Sequence, residues 1–117
     1  MPASAAPRTY VTHNCLRVEI RPAFIMFACA DGGFYMTQGA WTTWRRWRAT
    51  GSGLFHQNDC DPSCAGGTLH TARGRIVLFD RMYCSDIETY VFGRVRIRFH
   101  GKLLGRTATR DRLFCPL

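Results

Sequence analysis

The stretch His56–Gly67, HQNDCDPSCAGG, constrains this chain more than any other. Cys60 and Cys64 flank Pro62, the acids Asp59 and Asp61 stand on either side of Cys60, and Gly66 and Gly67 follow closely. Asn, Asp, Pro, Ser and Gly at this density exclude a helix or a strand interior, because their side chains bond the local backbone or fix its dihedrals. The segment reads as a tight, cross-linked turn. The apolar, aromatic and arginine-rich runs on either side of it read as strands folded about that knot.

Glu88–His100, ETYVFGRVRIRFH, gives the clearest strand pattern. Val95, Ile97 and Phe99 alternate with Arg94, Arg96, Arg98 and His100, so one face is buried and the other is basic and wet. Thr68–Asp80 reads as one long strand or two with a break at Gly74, and Arg81–Asp86 as a turn carrying Cys84. Ala23–Ala30, AFIMFACA, is continuously apolar and is expected to be a central strand buried on both faces. Asp31–Gly33 reads as a hairpin turn. Phe34–Thr37 starts the return strand, which Gln38–Gly39 interrupts, and Leu103–Arg112 is a polar hairpin or loop. No segment shows a helix cap followed by an apolar stripe. Short strands with Gly-rich turns at regular spacing point to an all-β fold, a small antiparallel sandwich or barrel.

With 117 residues the chain is expected to form one domain, residues 10–117, behind a flexible arm, residues 1–9. A domain this small hides a modest fraction of its surface on folding, so covalent staples help. Six cysteines, an even number, would serve as three disulfides. Nearest-neighbour pairing gives Cys15–Cys29, Cys60–Cys64 and Cys84–Cys115. Disulfides persist outside the cytosol. Ala3–Ala6 has the small-residue composition of a signal-peptide cleavage site, so the chain is expected to be secreted and to start near its mature N-terminus. No apolar run approaches the about 18 residues that span a bilayer.

The net charge is +8, and of the 16 basic residues only Lys102 is not arginine. GC-rich coding accounts for much of the Arg-to-Lys ratio. The net charge is compatible with an anionic partner, but secreted proteins are often basic for solubility alone. Trp41–Arg48, WTTWRRWR, is the most unusual composition in the chain. Read as a strand, it places Trp41, Thr43, Arg45 and Trp47 on one face and Thr42, Trp44, Arg46 and Arg48 on the other. Tryptophan and arginine dominate interface hot spots, and each Arg–Trp stack adds about 0.5–1 kcal/mol where exposed. Trp41, Trp44, Arg45, Arg46, Trp47 and Arg48 are therefore the first candidate binding surface, and Arg94, Arg96 and Arg98 the second. The competing readings are that at least two of the tryptophans are core and that the basic strand face is merely solvated.

His56, Cys60, Cys64 and His70 have donor types and spacing that zinc accepts, but a disulfide with two surface histidines is the stronger reading in an exported chain. Asn58, Asp59, Asp61 and Ser63 are oxygen donors of the kind calcium takes, without EF-hand order, and turn chemistry explains them equally. No metal and no cofactor is expected. A secreted ribonuclease needs a base, an acid and phosphate-binding arginines. His13, His56, His70, His100, Glu19 and Glu88 with the arginines permit it, but no pair has a diagnostic spacing. No G-x-S-x-G elbow, P-loop or dinucleotide fingerprint occurs.

Ala28–Gly32 (ACADG), Trp41-x-x-Trp44, Asn58–Cys60 (NDC), Pro62–Gly66 (PSCAG) and the strand after Cys84 together resemble a family of small secreted, cysteine-containing actinobacterial proteins of the Streptomyces type, of uncharacterised function. The resemblance spans roughly Phe24–Phe99 and implies export and a β-rich domain, and no activity. Arg45–Arg48 depart from it, since small polar residues stand there in the family. The sequence is thus read as a secreted, non-enzymatic binding module. Its expected partner is a protein, with the arm Ala3–Thr12 added as a strand in a larger assembly, or an anionic cell-envelope polymer. Nucleic acid is the less favoured partner, and a small basic ribonuclease toxin is the alternative.

Overall fold

A computed structural model describes residues 8–117. Among them eight strands form a single sheet: β1 (Thr9–Thr12), β2 (Val18–Glu19), β3 (Ile25–Met26), β4 (Phe34–Trp44), β5 (Ala49–Asn58), β6 (Leu69–Cys84), β7 (Thr89–Leu103) and β8 (Arg106–Arg112). The sheet order is β2-β1-β7-β6-β5-β4-β3, with β8 paired to β7 beside that path. All pairings are antiparallel except β1 with β7, which is parallel with Thr9 opposite Tyr90. The class is the expected one: all-β, with the sheet curled into a partial barrel and stapled by disulfides.

Curling brings the two ends of the path together, and the Met26 N–H donates to the His13 carbonyl at 2.7 Å across the gap. Inside lie Met36, Phe55, Ile76, Leu78, Val95 and Ile97, all essentially fully buried. Gly53 and Gly74 face each other across β5 and β6. A Cβ on Gly53 would stand 2.6 Å from the Met36 side chain, and one on Gly74 2.7 Å from the Arg98 carbonyl. Two facing glycines let the sheet bend there and let Met36 close over the backbone.

Alternation in β7 is as read, with Val95, Ile97 and Phe99 buried and Arg94, Arg96 and Arg98 exposed. It stops at Gly93. Phe92 shares strand parity with Arg94, yet it lies fully buried in the core cluster. Asp80, flanked by residues paired with Arg94 and Phe92, has a left-handed φ of 60°. A Cβ on Gly93 would meet the Asp80 carbonyl at 2.8 Å. The sheet therefore exchanges its faces at this level, which ends the basic row at Arg94.

Several boundaries differ from expectation. Only Ile25 and Met26 of Ala23–Ala30 are in a strand, and that strand ends the sheet path instead of occupying its centre. The run was apolar throughout, but only Ile25 and Phe27 are buried, while Cys29 is held by Cys15. β6 runs unbroken through Gly74 and on to Cys84, where a turn was expected. Residues β-paired to Phe92, Val91 and Tyr90 hold it extended, and the turn falls on Ser85–Ile87, closed by Glu88 at φ 50°. β4 likewise passes through Gln38–Gly39 with a shift of register rather than a break. β1 begins at Thr9, which is buried, so the domain starts ahead of residue 10. Most of the expected arm, residues 1–7, lies outside the described residues.

Disulfides join Cys15 to Cys29, Cys60 to Cys64 and Cys84 to Cys115. The last draws the C-terminal segment across the sheet, where Thr12 Oγ1 donates to the Phe114 carbonyl at 2.6 Å and Leu117 N–H to the Cys15 carbonyl at 2.9 Å. No helix of the described residues is long and apolar enough to cross a membrane. The three disulfides fit an extracellular protein.

Candidate anion-binding face

On the outer face, three adjacent strands place arginines side by side. Arg75 on β6 is paired directly with Arg98 on β7. Arg96 and Arg94 on β7 are paired directly with Arg110 and Arg112 on β8. Each row thus carries two arginines, and rows lie two residues apart, a repeat of about 6.7 Å for extended backbone. Val77 and Phe79 complete the second and third rows on β6, and Ala108 the first on β8. The Arg96 guanidinium stands 5.6 Å from the centre of the Phe79 ring. Two open grooves of about 520 and 560 Å³ run along this face and share Arg96 and Arg110.

Like charges directly opposite one another across a ladder destabilise the pairing. Neutralisation from within is slight. Arg94 Nε meets Asp80 at 2.9 Å, and among the described residues Arg75, Arg96, Arg98, Arg110 and Arg112 have no carboxylate within salt-bridge distance. Guarding a sheet edge explains charge on β8, which is an edge strand. It does not explain Arg75, Arg94, Arg96 and Arg98 on interior strands. An anion lying along the rows would relieve the repulsion and take paired guanidinium donors from neighbouring strands.

The tryptophan-rich stretch divides. β4 ends at Trp44, and Arg45–Arg48 form the hairpin turn into β5, closed by Arg45 N–H to the Arg48 carbonyl at 2.9 Å. A register shift between Trp41 and Thr43 brings Trp41 and Trp44 to the same face, although strict alternation separates them. They pack edge to face at 4.7 Å against the core. Their ring nitrogens donate to the Pro22 and Thr9 carbonyls, both at 2.8 Å. Trp41 and Trp44 are therefore largely structural. Trp47 at the turn is 66% exposed. The Arg81 guanidinium stands 5.3 Å from the Trp47 ring centre and 3.5 Å from that of Tyr90. Arg48 is exposed, whereas Arg45 and Arg46 line a cleft with Arg8 and Arg21.

Arg75, Arg110 and Arg112 were not singled out from sequence. Their signal was present as the outward parity of Arg73 and Arg75 and the spacing of Arg110 and Arg112. What the sequence could not give was the pairing partner of each strand.

The knot is occupied by its own backbone. Cys60 and Cys64 spend their sulfurs on each other. Asn58 Oδ1 accepts from Cys60 N–H at 2.8 Å, and Asn58 Nδ2 donates to the Cys64 carbonyl at 2.8 Å. Asp59 Oδ1 accepts from Asp61 and Thr68 N–H, and Ser63 Oγ from Gly66 N–H. His70 lies 3.0 Å from Asp59 Oδ2. The backbone bond from Thr68, then His70, then the Asp61 N–H hold the Asp59 carboxyl at about 2. His56 is bound to Thr37 at 2.8 Å and stacked on Tyr35 at 4.6 Å, and burial pushes its pKa down. The four candidate zinc donors are therefore committed elsewhere. Of the groups suggested for nuclease chemistry, the structure brings His13 to 3.7 Å from Glu19, while His56 and His70 are bound to Thr37 and Asp59 instead of to one another. No family model, curated protein or solved structure matches this chain.

Proposed function

We propose that the chain is a secreted, non-catalytic module that binds an anionic cell-envelope polymer along the arginine rows of β6, β7 and β8. The observation that carries this reading is the set of three directly opposed arginine pairs, Arg75–Arg98, Arg96–Arg110 and Arg94–Arg112. Three rows at a regular repeat suit a linear polymer with one negative charge per unit better than a single compact ion. Export and the envelope address are part of the proposal, and the three disulfides are compatible with them.

Co-sedimentation with Gram-positive cell walls, before and after chemical removal of their teichoic acid, tests the reading. Binding is expected to the phosphate-bearing walls and to fall steeply as salt rises. Equal binding to stripped walls, or binding indifferent to salt, would overturn it.

A further inference from the structure

Independently of the arginine rows, we infer that the cleft where β1 begins and β4 ends binds a phosphorylated sugar unit. Four arginines, Arg8, Arg21, Arg45 and Arg46, line it together with Thr9 and Trp44. Its volume is about 500 Å³. That is the size of a small-molecule site and far exceeds one bare anion. No carboxylate lines it, and among the described residues none of the four arginines forms an ion pair.

The arginines are set by the backbone that carries them. Arg21 has a left-handed φ of 54° immediately before Pro22, a conformation an L-residue adopts at a cost and that surrounding structure must impose. The Pro22 carbonyl is tied to Trp41 Nε1 at 2.8 Å. Arg46 offers its carbonyl to Thr9 Oγ1 at 2.6 Å, and the turn bond from Arg45 to Arg48 fixes the backbone that carries Arg45 and Arg46 at the rim. Trp44 spends its only polar atom on the Thr9 carbonyl at 2.8 Å, so the rest of the indole is an apolar wall.

Planar guanidinium groups bind phosphate through paired hydrogen bonds. An apolar aromatic wall beside them suits the C–H face of a ring that carries the phosphate. The combination selects a sugar phosphate over a neutral sugar, which leaves the guanidiniums unused, and over inorganic phosphate, which leaves the wall bare.

Calorimetric titration at fixed ionic strength, with glucose 6-phosphate, glucose and inorganic phosphate as probes, tests the site. Glucose 6-phosphate is expected to bind saturably, inorganic phosphate more weakly and glucose not at all. Arg45→Ala and Arg8→Ala, both at exposed side chains, should each weaken glucose 6-phosphate by about tenfold, with unchanged melting. Arg45→Lys should recover only part of the loss, because it restores charge without the paired donors. Arg96→Thr with Arg110→Thr should leave the affinity intact, so failure here is separable from failure of the polymer-binding reading. No saturation with glucose 6-phosphate, equal affinity for inorganic phosphate, or indifference to Arg45→Ala and Arg8→Ala would each overturn the inference.

Discussion

Arg110→Thr separates what the opposed arginines do for the fold from what they do for a ligand. Arg110 faces Arg96 directly, and Arg94 and Arg98 diagonally across β7. Taking guanidinium separations of about 7 Å for the direct pair and about 9 Å for the diagonals, Coulomb's law in water gives about 0.6 and 0.5 kcal/mol per pair. Screening at about 10 mM salt leaves roughly 1 kcal/mol in total, at 0.1 M about 0.7, and at 1 M almost nothing. Threonine keeps the β-propensity of the position. The variant should therefore be more stable than the parent at low salt, by about 4 °C in Tm, and indistinguishable from it at high salt. The same substitution should weaken binding to an anionic polymer and reduce the slope of log affinity against log salt by about 0.7–0.9. Thermal melts at three salt concentrations and a polymer titration read both effects. A variant that is less stable at low salt would refute the claim that these arginines repel one another. A gain in stability that persists at 1 M salt would refute its electrostatic origin.

Serine pairs replacing the disulfides should destabilise in order of the loops they close, by about 3.7 kcal/mol for Cys84–Cys115, 3 for Cys15–Cys29 and 2 for Cys60–Cys64, measured by denaturant unfolding of the folded variants. Trp44→Ala should cost about 3–5 kcal/mol, because the indole packs on Trp41 and on Phe92 at 5.6 Å. Trp47→Ala, which loses one exposed cation–π contact, should cost less than about 1 kcal/mol, so equal losses in the same unfolding assay would mean the two rings were misassigned. Because burial lowers the His56 pKa below 6.5, the unfolded chain takes up that proton first. Stability should be full above pH 6.5 and decline as pH falls from there toward the lowered value. His56→Gln should flatten this segment of a stability–pH curve. Asp59, held at about 2 against 3.8, supports the fold above pH 3.8 and loses that support as pH falls through 2, so Asp59→Asn should remove the decline between those values.

The parts legible in sequence were those decided by local chemistry. The turn residues around Cys60 and Cys64 announced the knot, and the alternation of Arg94–His100 with Val95–Phe99 announced a half-buried strand. What escaped was decided by neighbours distant in the chain. Ala23–Ala30 has the composition of a central strand. It lies at the end of the sheet because the Cys15–Cys29 bridge and the His13–Met26 hydrogen bond hold it there. Trp41 and Trp44 cannot be placed on one face by counting, since a register shift in β4 reverses the parity between them. The face exchange at Asp80 and Gly93 is equally invisible to a period-two reading. Arg75, Arg110 and Arg112 were visible as exposed charges, but only strand pairing sets them against Arg98, Arg96 and Arg94.

The most direct test of the polymer-binding face is NMR of the arginine Nε–Hε groups during titration with a soluble, phosphate-bearing teichoic acid. The account predicts progressive shifts of Arg75, Arg96, Arg98, Arg110 and Arg112 that collapse when salt is added. Shifts confined to the Trp47–Arg81 end of the molecule, or no shift among these five at saturating polymer, would contradict it.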